Sequence, residues 1–204
     1  EQLFDFAIEH FKSLFIKQNG NLTKIDLDGL ITVPGSKTLL FELIKEFGYN
    51  ADQVDLIVNS NTSSGAVFYS NTYRMLLDRG NLEIIPLSEK EKEIIHFIEQ
   101  DDHRLALANG VMQFDYKEGR PNTFSTDPNF AYLDTDKLKF PLRLRNWKQG
   151  DSFQPLGMKG KSKKLKSFFT DSKLSVFDKE KVLILENNDG EIIWIVGHRA
   201  DDRF

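Results

Sequence analysis

The chain has 204 residues, 40% of them apolar and 28% charged, with no cysteine and a formal net charge of −4. That balance describes a folded globular protein with one or two cores, and it excludes disulfides and cysteine-based zinc sites. The longest apolar run, Ile192 to Val196, is far short of the roughly 18 residues a membrane helix needs, which argues against a membrane partner.

Phe4, Ile8, Phe11 and Phe15 recur at helical spacing and predict an amphipathic helix over residues 2–17. It starts almost at Glu1 with no signal peptide before it, so the expectation is a piece of a longer protein. Ser36 reads as the N-cap of a second helix carrying Leu39, Leu40, Leu43, Ile44 and Phe47, with Gly48 as its stop. Asn50 or Asp52 starts a third, carrying Val54, Ile57 and Val58. From Gly65 the period changes to that of short strands, "AVFYS", "YRMLLD" and "LEIIPL", the last two joined around Arg79-Gly80-Asn81. Residues 1–87 therefore read as a helical unit with a small sheet.

"SEKEKE" (88–93) is the expected domain boundary, and residues 88–204 read as β-rich, giving an α+β fold overall. "RLALANGVMQFDY" predicts a hairpin turning at Asn109-Gly110, and "PLRLRNW" another strand. "KVLILE" and "EIIWIV" flank the turn signal Asn187-Asn188-Asp189-Gly190. Their near-continuous apolar character predicts strands buried on both faces. One helix is expected over about 163–172.

Catalytic signatures are absent. "PGSKT" at 34–38 lacks the upstream glycine of a phosphate-wrapping loop, since position 30 is Leu, and reads as helix capping. His10, His96, His103 and His198 fit no compact metal-ligand spacing, even with Asp101 and Asp102. Asp201-Asp202 are neighbours whose side chains point apart on an extended chain. No Gly-x-Ser-x-Gly, His-Glu-x-x-His or dinucleotide fingerprint occurs.

The charge distribution carries more information. From Arg143 to Lys173 there are nine bases against two acids, a net of +7 that leaves −11 for the rest. Lys159, Lys161, Lys163, Lys164 and Lys166 follow one another without an acid, beside Gly157 and Gly160. A charge run is usually a solvated face. Here the asymmetry, the glycines and the interleaved Trp147, Phe153 and Phe168 favour a polyanion, with lysines on phosphates and aromatics offered to exposed bases.

Two strings within and beyond this run resemble the C-terminal half of bacterial tRNA(Ile)-lysidine synthetase. The first is "DTDKLKFPLRLRNWKQGDSFQPLGMKG" with the following Lys-Lys-Leu and Phe-Phe; the second is Gly197-x-Arg199-x-Asp201-x-Arg203-Phe204. Residues 30–86 are similar more weakly. The chain departs from the family at Ser152, usually Arg, and at Lys166-Ser167, usually Ser-Asp. The family's Ser-Gly-Gly-x-Asp-Ser phosphate loop is not in this sequence. The resemblance implies that residues 1–87 are the middle, substrate-recognition domain and 88–204 the C-terminal domain, with a fold related to a β-rich domain of the phenylalanyl-tRNA synthetase β chain.

The same resemblance implies a cytoplasmic, ATP-dependent ligase that joins lysine to C2 of the wobble cytidine in the CAU anticodon of an isoleucine tRNA. Codon specificity thereby changes from AUG to AUA. ATP, Mg and lysine would be bound by a domain outside this sequence, leaving no cofactor, metal or catalytic residue here; a homodimer stays open. The implied tRNA contacts are Arg143, Arg145, Trp147, Lys148, Lys159, Lys161, Lys163, Lys164, Lys166, Lys173, Arg199 and Arg203. Two other readings are a stand-alone RNA-binding module and a protein-interaction module whose lysines are mere surface.

Overall fold

The computed structural model describes residues 2–59, 64–87, 94–108 and 110–204. It is α+β and divides into two compact units, residues 1–90 with 175–177, and residues 91–174 with 178–204. The expected boundary at 88–93 and Asn109 lie outside the described residues.

In the first unit, α1 (Gln2–Phe15) packs Ile8, Phe11 and Phe15 on the core, while Phe4 of the same stripe stays exposed. The helix stops before the expected residue 17. Ile16 instead opens β1 (Ile16–Asn19), which pairs with β2 (Leu22–Asp26) across the two-residue turn Gly20-Asn21. Gly20 takes φ 58, the positive value a hairpin turn needs at its first position. The Asp26 side chain then caps α2 (Leu27–Leu30) by accepting the Gly29 N–H at 3.0 Å.

Next comes α3 (Ser36–Ile44), whose N-cap is Gly35 with no side-chain cap, so Ser36 is the first helical residue and not the cap. A 3-10 turn, Lys45–Phe47, carries it to the expected stop at Gly48. The third helix, α4 (Ala51–Asn59), begins at a reciprocal capping box: Asn50 Oδ1 accepts the Gln53 N–H, and Gln53 Oε1 the Asn50 N–H, both at 3.0 Å.

Strands β3 (Ala66–Tyr69), β4 (Tyr73–Asp78) and β5 (Asn81–Pro86) complete an antiparallel sheet of order β1-β2-β5-β4-β3. Arg79 and Gly80 make the β4–β5 turn at φ 46 and 72. At φ 72 Gly80 holds a left-handed conformation that other residues rarely adopt, and a Cβ there would also force the Asp28 carboxylate, 1.9 Å away, to move. Ile25, Met75, Leu77, Leu82 and Ile84 face the helices; Leu76 and Ile85, on the other face, pack with Phe177.

The second unit holds β6 (Ile95–Ile98), β7 (Arg104–Leu107), β8 (Gly110–Gln113), β9 (Leu142–Asn146), β10 (Ser152–Phe153), β11 (Lys163–Lys164), α5 (Leu165–Asp171), α6 (Val176–Lys181, whose first two residues belong to the first unit), β12 (Leu183–Glu186), β13 (Ile192–Ile195) and β14 (Arg199–Ala200). Leu107 pairs with Gly110, so Gly110 is a strand residue of β8 and not a turn residue. The basic-run helix begins at Leu165, because Lys163 and Lys164 belong to β11. Helix α6, too short for a clear stripe, was not expected.

The main sheet runs β14-β13-β12-β9-β6, antiparallel throughout. One face buries Leu142, Leu144, Leu185, Ile193 and Trp194 with Ile98 and Met112; the other buries Ile184, Ile192 and Ile195 under Phe153, Leu165 and Phe169. Strands β12 and β13 are thus covered on both sides, as their apolar runs predict.

Both tryptophans lie in this unit, and Trp147 meets the fully buried Phe169 edge-on at 5.1 Å between ring centres. Truncating Phe169→Ala should lower this unit's stability by about 3–5 kcal/mol, the usual cost of a buried aromatic. Tryptophan fluorescence during urea unfolding reads this unit alone; a midpoint matching the unaltered chain would contradict that packing.

Candidate nucleic-acid interface

The basic segment is rooted in a buried ion network. Leu142 and Leu144 of β9 point into one core, so the alternating Arg143 and Arg145 share the opposite face. On β12, Glu186 stands directly opposite Arg143 and diagonal to Arg145, which is itself opposite Ile184; Glu186 is 0% exposed. Arg145 is 8% exposed. Its Nε donates to Glu186 Oε2 at 2.8 Å, and its terminal nitrogens reach both Asp151 oxygens at 2.9 and 3.0 Å. Arg143 pairs with the other Glu186 oxygen. Burial disfavours the Arg145 charge, but the bonds to Asp151 and Glu186 outweigh it and hold the guanidinium above its ordinary pKa.

Asp151 also accepts the Lys148 N–H at 2.6 Å, closing the turn that leads into β10. Strand β10 pairs with β11, Ser152 opposite Lys164 and Phe153 opposite Lys163. The loop between them, 154–162, carries Lys159 and Lys161. It is laced to the end of the chain: Asp201 Oδ2 accepts the Gln154 N–H at 2.7 Å, and Gln154 O accepts the Asp202 N–H at 2.7 Å. The Arg199 guanidinium donates to Leu156 O at 3.1 Å. Buried Asp201 takes a two-point contact from Arg203, whose remaining nitrogen reaches Glu191 at 2.5 Å.

The expected contact residues therefore separate. Lys148, Lys159, Lys161, Lys164, Lys166 and Lys173 are exposed. Lys163 is half-buried, paired with Asp171 at 2.6 Å and held over the Phe168 ring. Arg145 is a buried structural cation, and Arg203 is engaged by two acids. The aromatic expectation is corrected. Phe153 is core, and Trp147 is half-buried with its indole N–H on Lys179 O at 2.6 Å. Phe168 is wedged edge-on between Phe153 and His198. Phe153 offers no stacking face, while Trp147 and Phe168, each half-buried, pack mainly as the platform under the lysines.

The sequence points to Glu186 only as a strand end, and to Asp201 only as half of an acid pair and a letter of the closing family string, in neither case as a support of the basic loop. An acid inside an apolar strand facing two alternating arginines was the available signal. Among the described residues no group of three or more His, Asp or Glu could hold a metal ion, and no helix is long and apolar enough to cross a membrane.

His198 is half-buried against Phe168. Burial pushes its imidazole below the ordinary value of 6.5, with the Asp178 charge partly opposing. The unfolded chain therefore takes up the proton more readily than the folded one. Stability should be complete above about pH 6.5 and decline as pH falls through that value. Urea midpoints between pH 7.5 and 5.5 test this; His198→Phe should flatten the decline, and an identical slope in the variant would refute it.

Residues 18–87 match a family model described as the TilS substrate binding domain, and residues 142–204 one described as the TilS substrate C-terminal domain. A protein of Parabacteroides distasonis named tRNA(Ile)-lysidine synthase is 36% identical over 210 residues, covering 100% of this chain and 45% of that protein. Its namesake in Bacteroides thetaiotaomicron is 29% identical over 203 residues, covering 99% and 43%. A crystal structure of a TILS C-terminal domain aligns at a TM-score of 0.46 and 26% identity, over 53% of this chain and 84% of that one. The chain spans about half the length of the curated relatives it matches. By the two family models and the named relatives, the chain belongs to the tRNA(Ile)-lysidine synthase family, of which it carries the substrate-binding and C-terminal domains.

Proposed function

We propose that this chain is the tRNA-gripping part of a tRNA(Ile)-lysidine synthase. The observation that carries the reading is the outward row of lysines on the β10–β11 hairpin and α5, set on a base whose arginines are spent internally. Lys148, Lys159, Lys161, Lys164, Lys166 and Lys173 act as point charges on tRNA phosphates. The whole enzyme would work in the cytoplasm on an isoleucine tRNA with a CAU anticodon. It would activate C2 of the wobble cytidine with ATP and let the lysine amine displace AMP. ATP, Mg and lysine belong to the part of the family's length that this chain does not span. Gripping the tRNA away from its anticodon contributes to rate by holding the cytidine in place. Family membership favours this over a stand-alone or protein-interaction module.

Replacing Lys161 and Lys166 by Ala removes two phosphate contacts. The slope of log K against log salt for tRNA binding should flatten by roughly 1.5, with little change in preference among tRNAs. Exposed lysine changes of this kind leave stability within about 0.5 kcal/mol. Titration at several salt concentrations decides it; an unchanged slope removes the phosphate role.

The chain alone should neither release pyrophosphate from ATP nor attach lysine to tRNA. An assay with ATP, Mg, lysine and the isoleucine tRNA checks this, and turnover that survives repurification would overturn the assignment of roles.

A further inference from the structure

The β10–β11 hairpin and the β12–β13 turn border a cleft of about 230 Å³, lined by Ser152, Gln154, Ser162, Glu191 and Arg203 beside the buried Phe153. It adjoins the lysine row. Ser162 lies between Lys161 and Lys163 in sequence, and Ser152 pairs across the strands with Lys164. Among the described residues the side chains of Ser152, Gln154 and Ser162 make no hydrogen bond. Glu191 Oε1 accepts from the Arg203 guanidinium, and the other Glu191 oxygen makes no hydrogen bond among the described residues.

A surface shaped for phosphate alone gains nothing from a carboxylate, which repels a polyanion. One Glu191 oxygen is occupied by Arg203, and the second is useful to a ligand only where that ligand presents a donor. Along an RNA backbone that donor is the ribose 2′-hydroxyl, which DNA lacks. The cleft is too large for a lone phosphate oxygen cluster, and it has no exposed aromatic face for a base, because Phe153 is 1% exposed. We propose that this cleft seats a ribose-phosphate unit of RNA, with Glu191 accepting from the 2′-hydroxyl. Ser162 and Gln154 donate to the sugar and phosphate oxygens, and Lys161 and Lys164 hold the adjoining phosphates. The proposal rests on the RNA-binding reading above and gives that surface its selectivity for RNA over DNA.

The test compares the intact chain on an RNA hairpin and on an all-DNA hairpin of the same sequence at fixed salt. RNA should bind about tenfold more tightly. Glu191→Ala should weaken RNA binding by about fivefold to tenfold while leaving DNA binding unchanged or stronger, as expected for one lost charge-assisted bond. Glu191→Gln, which keeps an acceptor oxygen, should retain most of the preference. Removing an acid from a basic surface would otherwise strengthen both ligands alike, so a parallel gain overturns the proposal. Equal binding of RNA and DNA by the unaltered chain, with salt dependence intact, overturns the cleft assignment and leaves the phosphate reading standing. Binding to neither removes both. Thermal melting checks each fold; if Glu191→Ala does not fold, Ser162→Ala carries the same comparison, with a selective loss on RNA expected and an equal effect on both ligands overturning the proposal.

Discussion

The buried guanidinium of Arg145, between Glu186 and Asp151, is the constraint on which the second unit depends. Two carboxylates and a cation have left water, a cost that is recovered only because the hydrogen bonds are made at short range from both sides. Replacing all three by packed apolar groups need not lower stability. Removing Arg145 strands the Asp151 carboxylate and leaves Glu186 with Arg143 alone, with a cost of about 3–5 kcal/mol. The network therefore says less about total stability than about geometry. It joins β9 to β12 through Glu186 and joins both, through Asp151, to the turn that starts the basic hairpin. The guanidinium stays charged across ordinary pH, so this geometry does not depend on proton uptake by Arg145.

That arrangement explains how cations are divided between interior and surface. Arginine offers planar, multi-point donation that suits buried carboxylates, and Arg143, Arg145 and Arg203 are used in that way. Lysine is a flexible, strongly hydrated point charge, and the lysines of the run stay outside, with Lys163 alone drawn half inward by Asp171. Counting the +7 of the segment as one binding charge overlooks this division. The acids that neutralise the arginines are what leave the lysines on a firmly held surface, and a ligand meeting such a surface loses less entropy in ordering it.

Much of the fold was legible because its signals are local. The helical stripes, the αL glycine at 48, the helix start at Asn50 and the Asn187-Asn188-Asp189-Gly190 turn signal all act within a few residues. The misses come where tertiary pairing overrides a local preference. Ile16 continues a helical pattern but is worth more as a strand opposite Ile25. Lys163 and Lys164 look like a helix start, yet pair with β10. Trp147, Phe153 and Phe168 look like stacking rings because sequence shows their cationic neighbours and hides the core strands beneath. Of the site, the lysines were legible and their supports were not, since Glu186 and Asp201 act across more than forty residues on Arg143, Arg145 and Gln154.

The strings that carry the family resemblance are mostly architecture when their atoms are followed. Asp151 closes a turn and anchors Arg145, while Phe153 fills the core. Pro155 bridges to Asp201, and Asp201 with Arg203 fixes Gln154. Gly157 and Gly160 take positive φ at no cost, whereas Lys159, at φ 53, sits in a conformation that non-glycine residues rarely adopt. The recognisable letters are therefore those that keep the loop in one shape. Phosphate contact requires only that a cation stand at about the right place, which many positions along a held loop can satisfy. The motif specifies the frame, and the surrounding lysines and the Glu191 cleft then decide what the frame can grip.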